Sequence, residues 1–130
     1  MKAITGGKII LPDEILEGYS LYFADGVITA VTADDLPYDT LIDAAGQYVS
    51  PGFVDLHTHG AGGADFLDGT AEAYITAAKM HGDHGTTTLL PTTTSVDRDG
   101  ILVAVKAYEE ARQTPGIPDL PGLHLEGPNL

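Results

Sequence analysis

The sequence predicts an α/β protein in which a short β-rich segment precedes a strand–helix–strand–helix–strand run. Three observations point there. Up to Tyr48, short apolar runs alternate with turn residues. After Pro51-Gly52, apolar β-branched runs alternate with stretches of helical spacing, and a cluster of three prolines closes the last of these before a final short strand. The expected division is residues 1–50 and 51–130.

In the first part, Ala3-Ile4 leads into Gly6-Gly7, Lys8 to Leu11 ends at Pro12, and Tyr19 to Phe23 meets Asp25-Gly26 before Val27 to Val31. Asp-Gly between two such runs signals a hairpin, because glycine accepts the positive φ of a tight turn. In the second part, Phe53 to His59 predicts a strand and Gly60 to Gly63 a flexible loop. Thr70 predicts the N-cap of a helix with Ala71, Tyr74, Ile75 and Ala78 on one face, stopped at Gly85. Thr86 to Leu90, dense in β-branched residues, predicts a second buried strand ended by Pro91. Ser95 predicts the cap of a second helix, in which Ile101, Leu102, Val105, Tyr108 and Ala111 recur at helical spacing up to Arg112. Pro115, Pro118 and Pro121 forbid further helix, and Leu123 to Glu126 predicts a third strand. Such βαβ units build a parallel sheet. Ending just past a strand that should feed a loop and a helix, the chain reads as interrupted.

Charge and composition exclude several functions. Nineteen acidic against 6 basic side chains give a net charge of −13, which repels nucleic acid. There is no cysteine, so disulfides, thiolate metal sites and cysteine nucleophiles are out, and any metal must be held by nitrogen and oxygen. Paired glycines and two lysines in Met1–Lys8 break any signal peptide, and no run approaches the roughly 18 apolar residues of a membrane span. The expectation is a cytoplasmic protein with no membrane partner. Neither Gly-x-x-x-x-Gly-Lys nor Gly-x-Ser-x-Gly occurs, and the six threonines between Thr86 and Thr94 read as strand propensity and turn chemistry.

The chemistry concentrates in Asp55-Leu56-His57-Thr58-His59-Gly60. On a strand, period-two alternation puts Asp55, His57 and His59 on one face, so two imidazoles stand side by side, suited to one divalent cation. A His-x-His pair is also compatible with two structural histidines. Position favours the metal, because the pair closes a strand ahead of a glycine-rich loop, and the C-terminal ends of parallel strands are where barrel enzymes build their sites. Glu126 ends the third strand and offers a carboxylate to complete a mixed nitrogen and oxygen set; on its own it would read as a solvated acid. His124 shares that face and reads as a hydrogen-bonded structural histidine. His81 and His84, in the last turn of the first helix, read as residues answering the helix dipole. Asp65 is a weaker candidate for ligand contact.

Together, Pro51-Gly52-Phe53-Val54-Asp55-Leu56-His57-Thr58-His59-Gly60, His84-Gly85-Thr86-Thr87-Thr88-Leu89-Leu90-Pro91-Thr92 and His124-Leu125-Glu126-Gly127-Pro128 resemble the N-acetylglucosamine-6-phosphate deacetylases of the amidohydrolase superfamily. The first block marks the superfamily, and the last is more particular to the deacetylases. The resemblance implies a (β/α)8 barrel, about 250 residues when complete, preceded by part of a small β-sandwich. On that footing residues 1–50 are sandwich and 51–130 the first strands and helices of a truncated barrel, inactive alone. It implies metal ligation by His57, His59 and Glu126 with one or two divalent ions, zinc or iron. It also implies a small amino-sugar phosphate substrate, further ligands and a catalytic aspartate later in the chain, and a homodimer for the full-length protein. The family often has an aromatic residue where Asn129 stands. The rival enzyme reading is a cyclic-amide hydrolase, which leaves His-Leu-Glu-Gly-Pro unexplained. A non-catalytic metal-binding module is the rival from another class.

Overall fold

The computed structural model describes residues 1–127; Pro128 and Asn129 of the deacetylase-like block lie outside the described residues. The chain divides into two compact units, Met1–Pro51 and Gly52–Leu130.

The first unit is all β. Strands β1 (Lys2–Thr5), β2 (Lys8–Ile10), β3 (Ile15–Leu16), β4 (Ser20–Ala24), β5 (Val27–Thr32), β6 (Thr40–Asp43) and β7 (Tyr48–Val49) form two sheets, ordered β5-β4-β1-β6 and β3-β2-β7. The hairpin at Asp25-Gly26 forms as the dipeptide requires, with both residues at positive φ, 51° and 78°, joining antiparallel β4 and β5. Ala3, Ile9 and Tyr22 are the buried apolar residues of this unit. Tyr22 is also tied by its hydroxyl, which accepts from the Leu36 N–H at 3.1 Å.

The second unit is a mixed α/β layer. It contains β8 (Phe53–Thr58), β9 (Gly60–Ala61), β10 (Ala64–Asp65), a 3-10 turn (Phe66–Asp68), α1 (Ala71–Asp83), β11 (Thr86–Thr93), α2 (Arg98–Ala111) and β12 (His124–Leu125). The sheet order is β12-β11-β8, and both pairings are parallel, as βαβ units demand. Helix α1 is capped by Thr70, whose hydroxyl accepts from the Ala73 N–H at 3.2 Å. Its Tyr74, Ala77 and Ala78 pack with Phe66, Leu89, Ala107, Tyr108, Ala111 and Leu120 into one core, with Ala71 and Ile75 at its margin. Small residues on both helices let the helices and the sheet approach closely, and two tyrosines fill what remains. Among the described residues, no helix is long and apolar enough to cross a membrane.

Four local expectations are corrected. Gly60 to Gly63 is not a flexible loop: β9 and β10 pair antiparallel across Gly62-Gly63, both at positive φ (63° and 81°), the two-residue turn that hairpins favour. Strand β11 does not stop at Pro91 but runs to Thr93. The register shifts between Leu89 and Pro91, where a missing N–H is tolerated, and pairing then resumes with β12 at Thr92 and Thr93. The cap of α2 is Asp97, not Ser95; its carboxylate accepts from the Gly100 N–H at 2.8 Å. Finally, Leu102 lies 53% exposed, and the buried face of α2 is Ala104, Ala107, Tyr108 and Ala111. Strand β8 is an edge of its sheet, and Phe53, Val54 and Leu56 are exposed there.

The core sets an alkaline limit on stability. Burial, with the charge of Asp65 adding to it, pushes the Tyr74 phenol up to about 12, and burial also raises that of Tyr108 against the opposing charge of Arg112. In the unfolded chain a phenol ionises near 10, so the folded state binds protons more tightly. The stabilisation is full below about pH 10 and is lost as pH rises toward about 12. The Tyr74 hydroxyl finds no hydrogen-bond partner among the described residues, whereas Tyr108 donates to the Leu120 carbonyl at 2.9 Å. Tyr74→Phe is therefore expected to leave stability at pH 8 unchanged or raised by about 1 kcal/mol, and to flatten its fall between pH 10 and 12. Urea midpoints at pH 8 and pH 11 check both; an equally steep alkaline fall in the variant would contradict the assignment.

Candidate metal centre

His57 stands one residue from the end of β8, which is an edge strand of its sheet. The side chain of Asp55 ties it there, accepting from the His57 N–H at 3.0 Å. Thr58 is fixed from two sides. Its N–H donates to the Thr92 hydroxyl at 3.1 Å, and its own hydroxyl lies 3.2 Å from His81 Nε2 on α1. The residue between the two histidines is thus held by the neighbouring strand and by a helix.

The strand ends at Thr58, so His59 lies just outside it, a departure from the expected Phe53 to His59. Its placement comes from the hairpin that follows: the Phe66 N–H donates to the His59 carbonyl at 3.0 Å, and Gly60 pairs with Asp65. Gly60 has φ 156°, and a Cβ there would overlap the Ala64 carbonyl oxygen. Only glycine lets the chain turn back so closely.

Glu126 follows β12, and its N–H donates to the Thr93 carbonyl at 2.9 Å. Parallel pairing of β11 with β8 on one side and β12 on the other brings it to the histidines. Glu126 Oε2 lies 3.0 Å from His57 Nε2 and 3.1 Å from His59 Nε2, and the two imidazole nitrogens are 3.3 Å apart. All three side chains are partly exposed, at 47, 39 and 36%. Two imidazole nitrogens and a carboxylate oxygen so close together form a compact donor set of the kind that a shared proton or a cation holds. Zinc bonds to such donors are about 2.0–2.1 Å long, which makes the edge of a tetrahedral site about 3.3 Å. The donor set and its spacing fit a divalent cation.

The remaining candidates are placed elsewhere. Asp65 caps the 3-10 turn, accepting from the Leu67 N–H at 2.8 Å while Asp68 accepts from its N–H at 2.9 Å. His84 Nδ1 lies 2.8 Å from the Met80 carbonyl in the last turn of α1. His81, read from the sequence as answering the helix dipole, instead meets the Thr58 hydroxyl behind the pair. Thr58 and Thr92, which hold that pair in place, carried no signal beyond strand propensity.

A family model described as amidohydrolase family matches residues 40–118. N-acetylglucosamine-6-phosphate deacetylase of Bacillus subtilis (strain 168) is 30% identical over 127 residues, covering 92% of this chain and 32% of that protein. N-acetylgalactosamine-6-phosphate deacetylase of Escherichia coli O157:H7 is 28% identical over 123 residues, covering 93% and 32%. The crystal structure of N-acetylglucosamine-6-phosphate deacetylase from Pasteurella multocida superposes with a TM-score of 0.87 at 30% identity, covering 99% of this chain and 35% of that one. The chain thus spans about a third of the length of these relatives.

Proposed function

Since this chain belongs to the amidohydrolase family, we propose that it supplies the leading metal ligands of an enzyme that removes the acetyl group from an N-acetylated amino-sugar 6-phosphate, N-acetylglucosamine 6-phosphate first. The observation that carries this reading is the convergence of Glu126, 69 residues further along the chain than His57, with His57 and His59 on one point. The deacetylase relatives and the His-Leu-Glu-Gly-Pro block support the choice of substrate.

In this reading His57 and His59 hold a divalent cation, zinc or iron, through Nε2, and Glu126 holds it through Oε2. Bound there, the cation supplies Lewis-acid polarisation of an amide carbonyl and lowers the pKa of water toward about 7. The protein's part is to keep both imidazoles and the carboxylate in register before substrate arrives, so that little ordering remains to be done on binding. Thr58 and Asp55 do this for β8, and Thr93 does it for Glu126. The same reading takes residues 1–50 as part of a β-sandwich and 51–130 as the opening strands and helices of a (β/α)8 barrel in a cytoplasmic homodimer.

Two measurements test it. Zinc titrated calorimetrically into the chain is expected to bind more than about 100-fold more weakly to His57→Ala and His59→Ala than to the wild type, beyond the range for losing a group that only orients a ligand; equal affinity in all three would remove the metal site. Acetate release by the complete product of the reading frame is expected from N-acetylglucosamine 6-phosphate, with N-acetylgalactosamine 6-phosphate as the comparison. No release from either sugar would sink the activity.

A further inference from the structure

His124 lies outside the three converging groups, and nothing in the metal reading uses it. Its Nδ1 sits 3.0 Å from the Leu56 carbonyl, and its ring centroid is 4.5 Å from that of His57, inclined at 49°. A carbonyl only accepts, so Nδ1 carries the proton and donates. The bond spans 68 residues of sequence and joins two strands that are not neighbours, because β11 lies between β8 and β12.

Its position matters for the site. Leu56 immediately precedes His57, and His124 stands two residues before Glu126. The other route between the two halves of the site passes through β11, and that ladder is irregular where it counts. Register shifts between Leu89 and Pro91, and Pro91 brings no N–H opposite Thr58. Strand β12 itself is two residues long. The imidazole bridges the two halves directly where the ladder is weakest.

We propose that His124 is a positioning residue for the metal centre, a cross-brace whose Nδ1–H to the Leu56 carbonyl sets the distance between Glu126 and the histidine pair. This rests on the metal reading above and adds to it a residue that holds ligands without being one. No ring nitrogen of His124 belongs to the converging donor set among the described residues.

Asparagine separates a brace from a ligand, because its side-chain N–H lies near the place of the imidazole Nδ1–H while nothing replaces Nε2. Zinc affinity of the 130-residue chain is expected to stay within about threefold of wild type in His124→Asn, and to fall about 10–100-fold in His124→Leu, the range for losing a group that orients a ligand. Cobalt substitution should give the same visible absorption intensity in wild type and His124→Asn, because the number of ligands is unchanged. Imidazole nitrogen NMR of the unsubstituted chain should show the His124 proton on Nδ1, a result independent of how any variant folds. A His124→Asn chain as weak as His124→Leu would make His124 a ligand and overturn the inference, as would wild-type affinity in His124→Leu or a proton on Nε2. A wild-type chain that binds no zinc would instead overturn the metal reading itself, and the brace with it.

Discussion

Glu126→Gln is expected to reduce acetate release by the complete protein by about 100-fold or more, with kcat and kcat/KM falling together. The substitution keeps the shape of the side chain and one oxygen, so packing around β12 is unchanged. What it removes is the only formal negative charge among the three converging groups, the two imidazoles being neutral donors. Lewis-acid activation contributes several kcal/mol, and each 1.4 kcal/mol is about tenfold in rate, so even partial loss is large. Zinc content measured on the same preparation should fall in parallel. Unchanged turnover with full zinc content would show that Glu126 is a solvated strand-end acid, the bland reading its sequence also allows.

Gly60→Ala is expected to destabilise the second unit by about 2–4 kcal/mol and to weaken zinc binding in the same step. The added methyl would overlap the Ala64 carbonyl oxygen and sit 2.9 Å from the Asp65 Cα, and these are backbone atoms that no rotamer change can move aside. The β9–β10 hairpin must open. With it goes the hydrogen bond from Phe66 to the His59 carbonyl, and so the position of the second imidazole. Gly63→Ala is the control. It also has a positive φ, 81°, but nothing lies within 4 Å of its added methyl. That variant should lose about 1–2 kcal/mol, the cost of the left-handed backbone alone, and keep its zinc affinity. Chemical denaturation and zinc titration of both variants check the pair; equal effects would mean that the close approach at Gly60 does not position His59.

Local sequence determined the elements. Asp25-Gly26 specifies its hairpin, Thr70 its helix cap, and the β-branched run from Thr86 its strand, because turn chemistry and periodicity act over a few residues and survive in any context. The His57 and His59 pair was legible for the same reason, since a spacing of two on a strand is a local fact. Where the local signal was ambiguous it misled: serine and aspartate both cap helices, and the chain uses Asp97. Ser95 instead sits against Gly127, where a Cβ would overlap its hydroxyl. Glu126 was legible as a strand-end acid, but its meeting with His57 across 69 residues was decided by tertiary structure. Two parallel registers, Thr58 opposite Pro91 and His124 opposite Thr92, fix how far each strand end projects. A shift of one residue in either would turn the side chains to the other face and separate the donors. The tie from His124 to the Leu56 carbonyl and the grip of Thr92 on Thr58 belong to the same class. A hydrogen bond between strands exists only once register is set, and register is settled by the burial of whole faces rather than by any residue's own preference.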